Sequence, residues 1–523
     1  MSLTRIHSQG MAKGKSKKSK KYKQPKNTLP STEREITPWK LNLDILLYLA
    51  FNFLAGADFW AVMHSCDVLY SAGVSRYIFQ QGTIAISERK HLVSFWQFLS
   101  GKGRTGYLAL QGFRFLGMPG PDEENNALCN ILKKSINMKE LELSTLALLT
   151  RGDGKTASVA ALKHLESITI RGPYHQRCVA ILSSLRSPIV KVDLSFGFRD
   201  PVPLLANFRD SLEVIDCTCM TFRDPGISKQ LIYPKVECFV IIDCRLPRLS
   251  ALKTSFPNLR RLSIDNEVDV HNEDPEEEMR LSIEREKLRK VNQDFQKTKS
   301  WDTLDFFSAD LHRLYMLALR CKVNHFWLSG PFWYHEEDIY WFTSSLALMR
   351  PTRLGFVLLT RLFPPRHLLE ILSIGTEEVR RLDITLAIES PGSDDVDPED
   401  ALVPEEALDE IFRAIRILDL TTLDVKLKWD PEMLYECERI SAAKTWIEQV
   451  SFRTLAEKAL EAVPTLRLIV FETSCPEKRE EYFVINPDTK TIEEIPEWPE
   501  DGKLSSDERE ISKDERNDRR LLP

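Results

Sequence analysis

The chain has 523 residues, of which 43% are hydrophobic, 9% aromatic and 28% charged. That composition supports a large buried core and excludes a small stapled domain, a collagen-like fibre and a chain that is disordered throughout. The net charge of −6 is unevenly divided: residues 1–36 carry ten Lys and Arg against Glu33 and Glu35, a net of +8, which leaves −14 for the remainder.

Residues 1–36 are rich in Lys, Ser, Gln and Pro and almost free of large apolar groups, so they are expected to form a disordered basic tail. Lys17, Lys18, Lys20, Lys21 and Lys23 form a candidate nuclear-targeting run, and the same lysines would serve equally as a solubilising extension. Only Tyr22 interleaves them, which gives little support to stacking on nucleic-acid bases. The first 30 residues lack the apolar run of a secretory signal, and the ten cysteines from Cys66 to Cys475 are scattered. Reduced thiols in the cytoplasm or nucleus follow from that reading. The longest apolar stretch, Ile45 to Ala57, is broken by Asn52 and falls short of the ~20 residues that span a bilayer, so no membrane partner is expected.

Thr37-Pro38 is an N-cap and first-turn pair, opening a helical unit assigned to residues 37–100. Leu43, Leu46, Leu47 and Ala50, then Trp60 and Met63, recur at helical spacing. Beyond Gly101 a phrase of the form apolar-x-x-apolar-x-apolar takes over. It reads Met138, Leu141, Leu143; Leu165, Ile168, Ile170; Ile189, Val192, Leu194; Leu212, Ile215, Cys217; Val236, Phe239, Ile241; and Leu259, Leu262, Ile264. The middle anchors lie 27, 24, 23, 24 and 23 residues apart. The phrase resumes at Val323, Pro351, Val379, Leu420 and Val463, the last running to Leu466 and Leu468.

Helices are predicted between phrases at 126–136, 176–185, 336–349, 368–374 and 405–415. A strand that turns two apolar side chains inward cannot bury them alone, whereas stacked neighbours build a continuous core, so the pattern predicts an α/β solenoid over residues 101–495. Charged insertions near 266–300 and 390–405 are expected to be solvated, laced with ion pairs of low energetic weight. Glu481–Ile485 and Lys490–Glu494 flank Asn486-Pro487-Asp488-Thr489 and predict a terminal hairpin. Residues 496–523 are expected to be a disordered charged tail.

No catalytic, cofactor-binding or metal-binding residue is assigned, and the protein is expected not to be an enzyme. Gly152-Asp153-Gly154-Lys155-Thr156 ends like a phosphate-binding loop, but Leu149 stands where the first glycine of that motif belongs, so an inter-repeat loop is expected. His335-Glu336-Glu337-Asp338 reads as a helix start. Cys217, Cys219, Cys238 and Cys244 lack the spacing of a paired zinc knuckle and read as small buried hydrophobes.

The 23–28-residue phrases resemble leucine-rich repeats, of the helix-containing subtype that curves into a horseshoe or arc. Cys244, three positions after Ile241, matches the family's Asn or Cys position. The segment from Leu41 to Leu69 resembles an F-box: Leu41, Asp44, Ile45, Leu46 and Leu49 match its opening, and Leu54, Asp58, Phe59, Cys66 and Leu69 its second half. Asn42 stands where the family has proline, and Asp67 where it has Lys or Arg. A helical head before a repeat array is similar to a diverged fungal F-box family. The resemblance implies a substrate-recognition subunit of a cullin-RING ubiquitin ligase. Leu41, Leu43, Ile45, Leu46, Leu54 and Trp60 would then contact the Skp adaptor, and the repeats would hold a protein substrate. The alternative is a repeat scaffold without ligase coupling.

Overall fold

The computed structural model divides the chain into two compact units, Met1–Val62 and Met63–Pro523. It describes residues 76, 78–79, 82–100, 105–117, 123–144, 154–172, 176–195, 200–220, 222, 231–243, 248–265, 275–331, 336–359, 365–388, 404–429, 445–473 and 479–495, all in the second unit. Both tails and residues 37–75 of the predicted head lie outside them.

Among the described residues sixteen strands form one sheet in strict chain order. They are β1 (Thr83–Ile86), β2 (Gly112–Phe115), β3 (Glu140–Ser144), β4 (Ser167–Arg171), β5 (Lys191–Ser195), β6 (Val214–Thr218), β7 (Cys238–Ile242), β8 (Arg261–Asp265), β9 (Thr303–Ala309), β10 (Lys322–Pro331), β11 (Arg353–Leu359), β12 (Arg381–Ile388), β13 (Thr422–Trp429), β14 (Leu468–Thr473), β15 (Arg479–Ile485) and β16 (Ile492–Ile495). The first fourteen run parallel. Helices provide most of the returns: α1 (Arg89–Leu99), α2 (Thr105–Ala109), α3 (Glu123–Lys134), α4 (Gly154–Ala160), α5 (Gln176–Ser184), α6 (Pro201–Leu204), α7 (Leu249–Ser255), α8 (Pro275–Gln296), α9 (Leu311–Leu317), α10 (Glu336–Met349), α11 (Pro365–Ile371), α12 (Pro404–Ile415) and α13 (Phe452–Ala462).

The repeated phrase explains this order. Its last two apolar residues are two positions apart, so both point to one face of a strand. Leu141, Ile168, Val192, Ile215, Phe239 and Leu262 stand opposite one another on successive strands, and all are buried. Each such Leu, Ile, Val or Phe contributes about 1.5–3 kcal/mol by leaving water. The turns are tied by backbone bonds as regular as the side chains. The Lys139 carbonyl accepts from Glu166 and Ser167 N–H at 2.7 and 2.9 Å, and the Glu166 carbonyl accepts from Val190 and Lys191 N–H at 2.7 and 3.0 Å. Similar paired bonds recur at Val190, Glu213, Glu237, Arg260, Thr352, Arg380 and Thr421, so the polar backbone between strands is satisfied from the neighbouring repeat.

Several details differ from the sequence expectation. The sheet begins at β1, inside the segment 37–100 assigned to the helical head, and β2 precedes the first phrase recognised. Leu110, Phe113 and Phe115 satisfy the phrase and are fully buried, but β1 is only four residues long and gives little periodicity to read. A further strand, β9, forms between the charged insertion and Val323, with Leu304, Phe307 and Ala309 inward. At the last repeat the inward residues are Ile469 and Phe471, opposite Leu423 and Val425. Leu468 faces the other way, because the phrase there runs Leu466-x-x-Ile469-x-Phe471. The terminal hairpin forms as β15 and β16, both antiparallel. Asn486 accepts from the Asp488 and Thr489 N–H groups at 2.9 and 3.1 Å to close its turn.

The insertion at 266–300 is more than solvated chain. It contains α8, whose Arg289, Asn292 and Gln296 are buried against the flanking helices. Charge content suggested solvation, but amide and guanidinium groups can be buried when the helix ends beside them supply partners. Residues 389–403, most of the second charged loop, lie outside the described residues, and α12 begins at its end, at Pro404.

Candidate functional site

Turning the apolar residues of each strand inward leaves the alternate residues on the opposite face of the sheet. On β2–β6 this outward face carries an alternating charge ladder. Arg114 pairs with Glu142, Arg171 lies 3.7 Å from Glu142 and 3.0 Å from Asp193, and Lys191 lies 3.4 Å from Asp216. Burial raises the Asp216 carboxyl above its usual range, and neighbouring Asp193 adds to the effect against the pull of Lys191. The basic side chains are about half exposed, so each pair contributes at most about 1 kcal/mol.

The face of β8–β13 has a different character. Arg261, Phe306, His325, Arg353, Arg381 and Thr422 form one row across six strands, set by the strand register. The next row contains Ser263, Ser308, Trp327, Gly355, Asp383 and Asp424. The Arg353 guanidinium donates to Asp383 through Nε at 2.6 Å and Nη2 at 3.3 Å, while Arg381 Nε donates to the same carboxylate at 3.0 Å. Arg381 Nη2 also reaches Asp424 at 3.5 Å. Burial by itself would raise the Asp383 carboxyl; the Arg381 and Arg353 guanidiniums, with His325, outweigh it and hold the group well below the usual carboxylate range. Asp383 and Arg381 are only 6% and 8% exposed, far less than an ordinary solvated ion pair.

Aromatic groups complete this face. Phe306 and His325 meet edge to face at 5.0 Å, and the Arg261 guanidinium lies 5.5 Å over the Phe306 ring. The Trp327 indole lies across Gly355 on the next strand, where a Cβ would collide with its six-membered ring. Glycine weakens a strand interior; here its missing side chain is the space that the indole fills. Strand β11 thereby leaves room for a large aromatic group close over the sheet, beside Asp383 in the same row.

The other sequence candidates are not brought together. Gly154, Lys155 and Thr156 open the seven-residue helix α4, a helix start rather than the expected loop, while Gly152 and Asp153 lie outside the described residues. Cys217 is buried at an inward strand position. Cys238 is on the outward face, where burial and then Asp216 push its thiol up to about 11, which makes a poor thiolate. Cys244 and His335 lie outside the described residues. Among the described residues no group of His, Cys, Asp and Glu is arranged to hold a metal ion, and no helix is long and apolar enough to cross a membrane. Leu41, Leu43, Ile45, Leu46, Leu54 and Trp60, like Lys17, Lys18, Lys20, Lys21 and Lys23, also lie outside the described residues.

The outward rows escaped the sequence reading because the phrase leaves its x positions unconstrained. One signal was available: an arginine immediately precedes the middle anchor in Arg261-Leu262, Arg353-Leu354 and Arg381-Leu382. Comparison with known proteins finds no family model that matches the chain and no curated protein that matches it.

Proposed function

We propose that this protein is a substrate-recognition subunit of a cullin-RING ubiquitin ligase: the outward face of β8–β13 holds a protein target, and the segment from Leu41 to Leu69 docks the Skp adaptor. The observation that carries the reading is the face itself. It lies opposite the core, and the partly exposed Trp327, Phe306 and Arg353 sit on it above the buried Arg381–Asp383 pair, with aromatic rings and arginine being residue types that dominate binding energy at protein interfaces. The F-box-like residues Leu41, Ile45, Leu46 and Leu54 support the adaptor half. In this reading the protein acts by holding its partners together rather than by catalysis. It works in the cytoplasm or nucleus, with Lys17 to Lys23 directing nuclear entry.

A second reading, a leucine-rich-repeat scaffold without ligase coupling, is favoured by Asn42 in place of the F-box proline. The same face serves in both readings, so a variant of it tests the shared part. Trp327→Ala leaves only an unfilled space over Gly355 and should not unfold the sheet. Target proteins captured by the wild-type chain should be retained at least about tenfold less well by this variant, as for a central aromatic anchor. Equal capture by a folded Trp327→Ala protein would remove this face from the assignment.

A further inference from the structure

Helix α8 is held by a polar stripe. Among its described side chains the buried ones are Arg289, Asn292 and Gln296, spaced by three and four residues and therefore on one face. By contrast α12 buries Ala407, Leu408, Ile411 and Phe412. The apolar side chains Ile283 and Val291 of α8 point into solvent, 48% and 43% exposed.

Each buried group grips the end of a neighbouring helix. Arg289 Nη1 donates to the Tyr315 carbonyl at 2.6 Å, and its guanidinium lies 3.8 Å over the Tyr315 ring. Asn292 donates to the Met316 carbonyl and accepts from the Leu249 N–H, both at 3.0 Å. Gln296 Nε2 donates to the Leu317 and Ala318 carbonyls at 3.2 and 2.9 Å, while its Oε1 accepts from the Arg320 N–H at 2.8 Å. The Tyr315 hydroxyl donates to Glu286 at 2.6 Å. The backbone partners are the open carbonyls of the last turn and C-cap of α9, the Arg320 N–H just beyond it and the first N–H of α7, groups that water can satisfy equally well.

The strand array does not pass through α8. Strands β8 and β9 pair directly, from Arg261 opposite Phe306 to Ile264 opposite Ala309. Just beyond the helix Trp301 is buried, and its Nε1 donates to the Phe256 carbonyl at 3.2 Å. The chain is therefore pinned at Trp301, with residues 297–300 between the pin and the helix.

From this geometry we propose that α8 is a polar-latched strap, which undocks from α7 and α9 as a unit while the sheet stays closed. Undocking exchanges these hydrogen bonds for water, and among the described side chains of the helix the only apolar ones it draws out are Leu288 and Phe295, which are half-buried rather than core. It bares the carbonyl end of α9 and the ring of Tyr315, which stacks on Trp341 at 5.0 Å. Such an element belongs to the low-stability end of a structure and opens independently of the core.

Amide hydrogen exchange on the full chain tests this. Amides of 286–296 should exchange at least about 100-fold faster than those of β8 and β9 on either side, as sub-global opening requires. Asn292→Ala and Gln296→Ala should each speed exchange in α8 by roughly tenfold, the effect of a lost buried partner, and leave β8 and β9 unchanged. If α8 exchanges together with β8 and β9 in the wild-type chain, it is an integral part of the array and the proposal fails. The same conclusion follows if either variant accelerates strands and helix alike.

Discussion

Asp383→Ala is expected to cost about 3–5 kcal/mol, because it leaves the largely buried Arg353 and Arg381 guanidiniums without their shared carboxylate. Arg381 retains Asp424 at 3.5 Å, so the loss should be concentrated at Arg353 and strand β11. The comparison that isolates charge is Asp383→Asn, which keeps the volume and one acceptor oxygen. The wild-type advantage should also depend on pH in a defined direction. The folded carboxyl is depressed, so its contribution is fully present above the unfolded value of about 3.9 and drains away as pH falls through the lower folded value. The Asp383→Ala deficit should therefore be largest near neutral pH and shrink in acid. Urea denaturation at several pH values, read by exchange protection of β11–β13, measures it. A deficit below about 1 kcal/mol at neutral pH would mean that the pairs behave as ordinary surface salt bridges.

Phe239→Ala is expected to cost a similar amount, about 3–5 kcal/mol for a fully buried ring. Phe239 is 0% exposed and packs on Phe256 at 4.8 Å and Phe222 at 5.6 Å between ring centroids. The site of the damage is as informative as its size. In a sequential array each repeat is stabilised mainly by its neighbours, so exchange protection should fall in β6–β8 and persist in β12–β14. Uniform loss of protection across the sheet would show instead that the array unfolds as one cooperative block.

Much of the fold was legible because inward positions are constrained twice, by burial and by a neighbour of the same kind on each side. Leu141, Ile168 and Val192 therefore announce both a strand and its register. The helix assigned to 336–349 coincides with α10 for the same reason, since Ile339, Phe342, Leu346 and Met349 are all buried on one face. Short or irregular elements were less legible. β1 offers four residues, β9 follows a 45-residue interval between Leu262 and Phe307, and at the last repeat adjacent Leu468 and Ile469 suit either face. The outward site was hidden more deeply. The arginines before the anchors mark the positions, but only the register, by setting Arg353 and Asp383 beside Arg381, separates them from a solvated surface pair. Gly355 looks like a mere strand weakness until Trp327 is seen to lie across it. The polar grip of α8 was masked by its charge content, because burial of Gln296 depends on the carbonyls of α9 and not on any pattern within the helix.

The proposed joining of a target-binding sheet face to a ligase adaptor in one chain is tested most directly by adaptor binding. The full chain, mixed with purified Skp adaptor and resolved by size-exclusion chromatography with light scattering, should elute as a stoichiometric complex. Leu46→Asp should abolish that complex while leaving the circular dichroism of the repeat array unchanged. Failure of the wild-type chain to bind the adaptor, or undiminished binding by a folded Leu46→Asp protein, would contradict the ligase assignment.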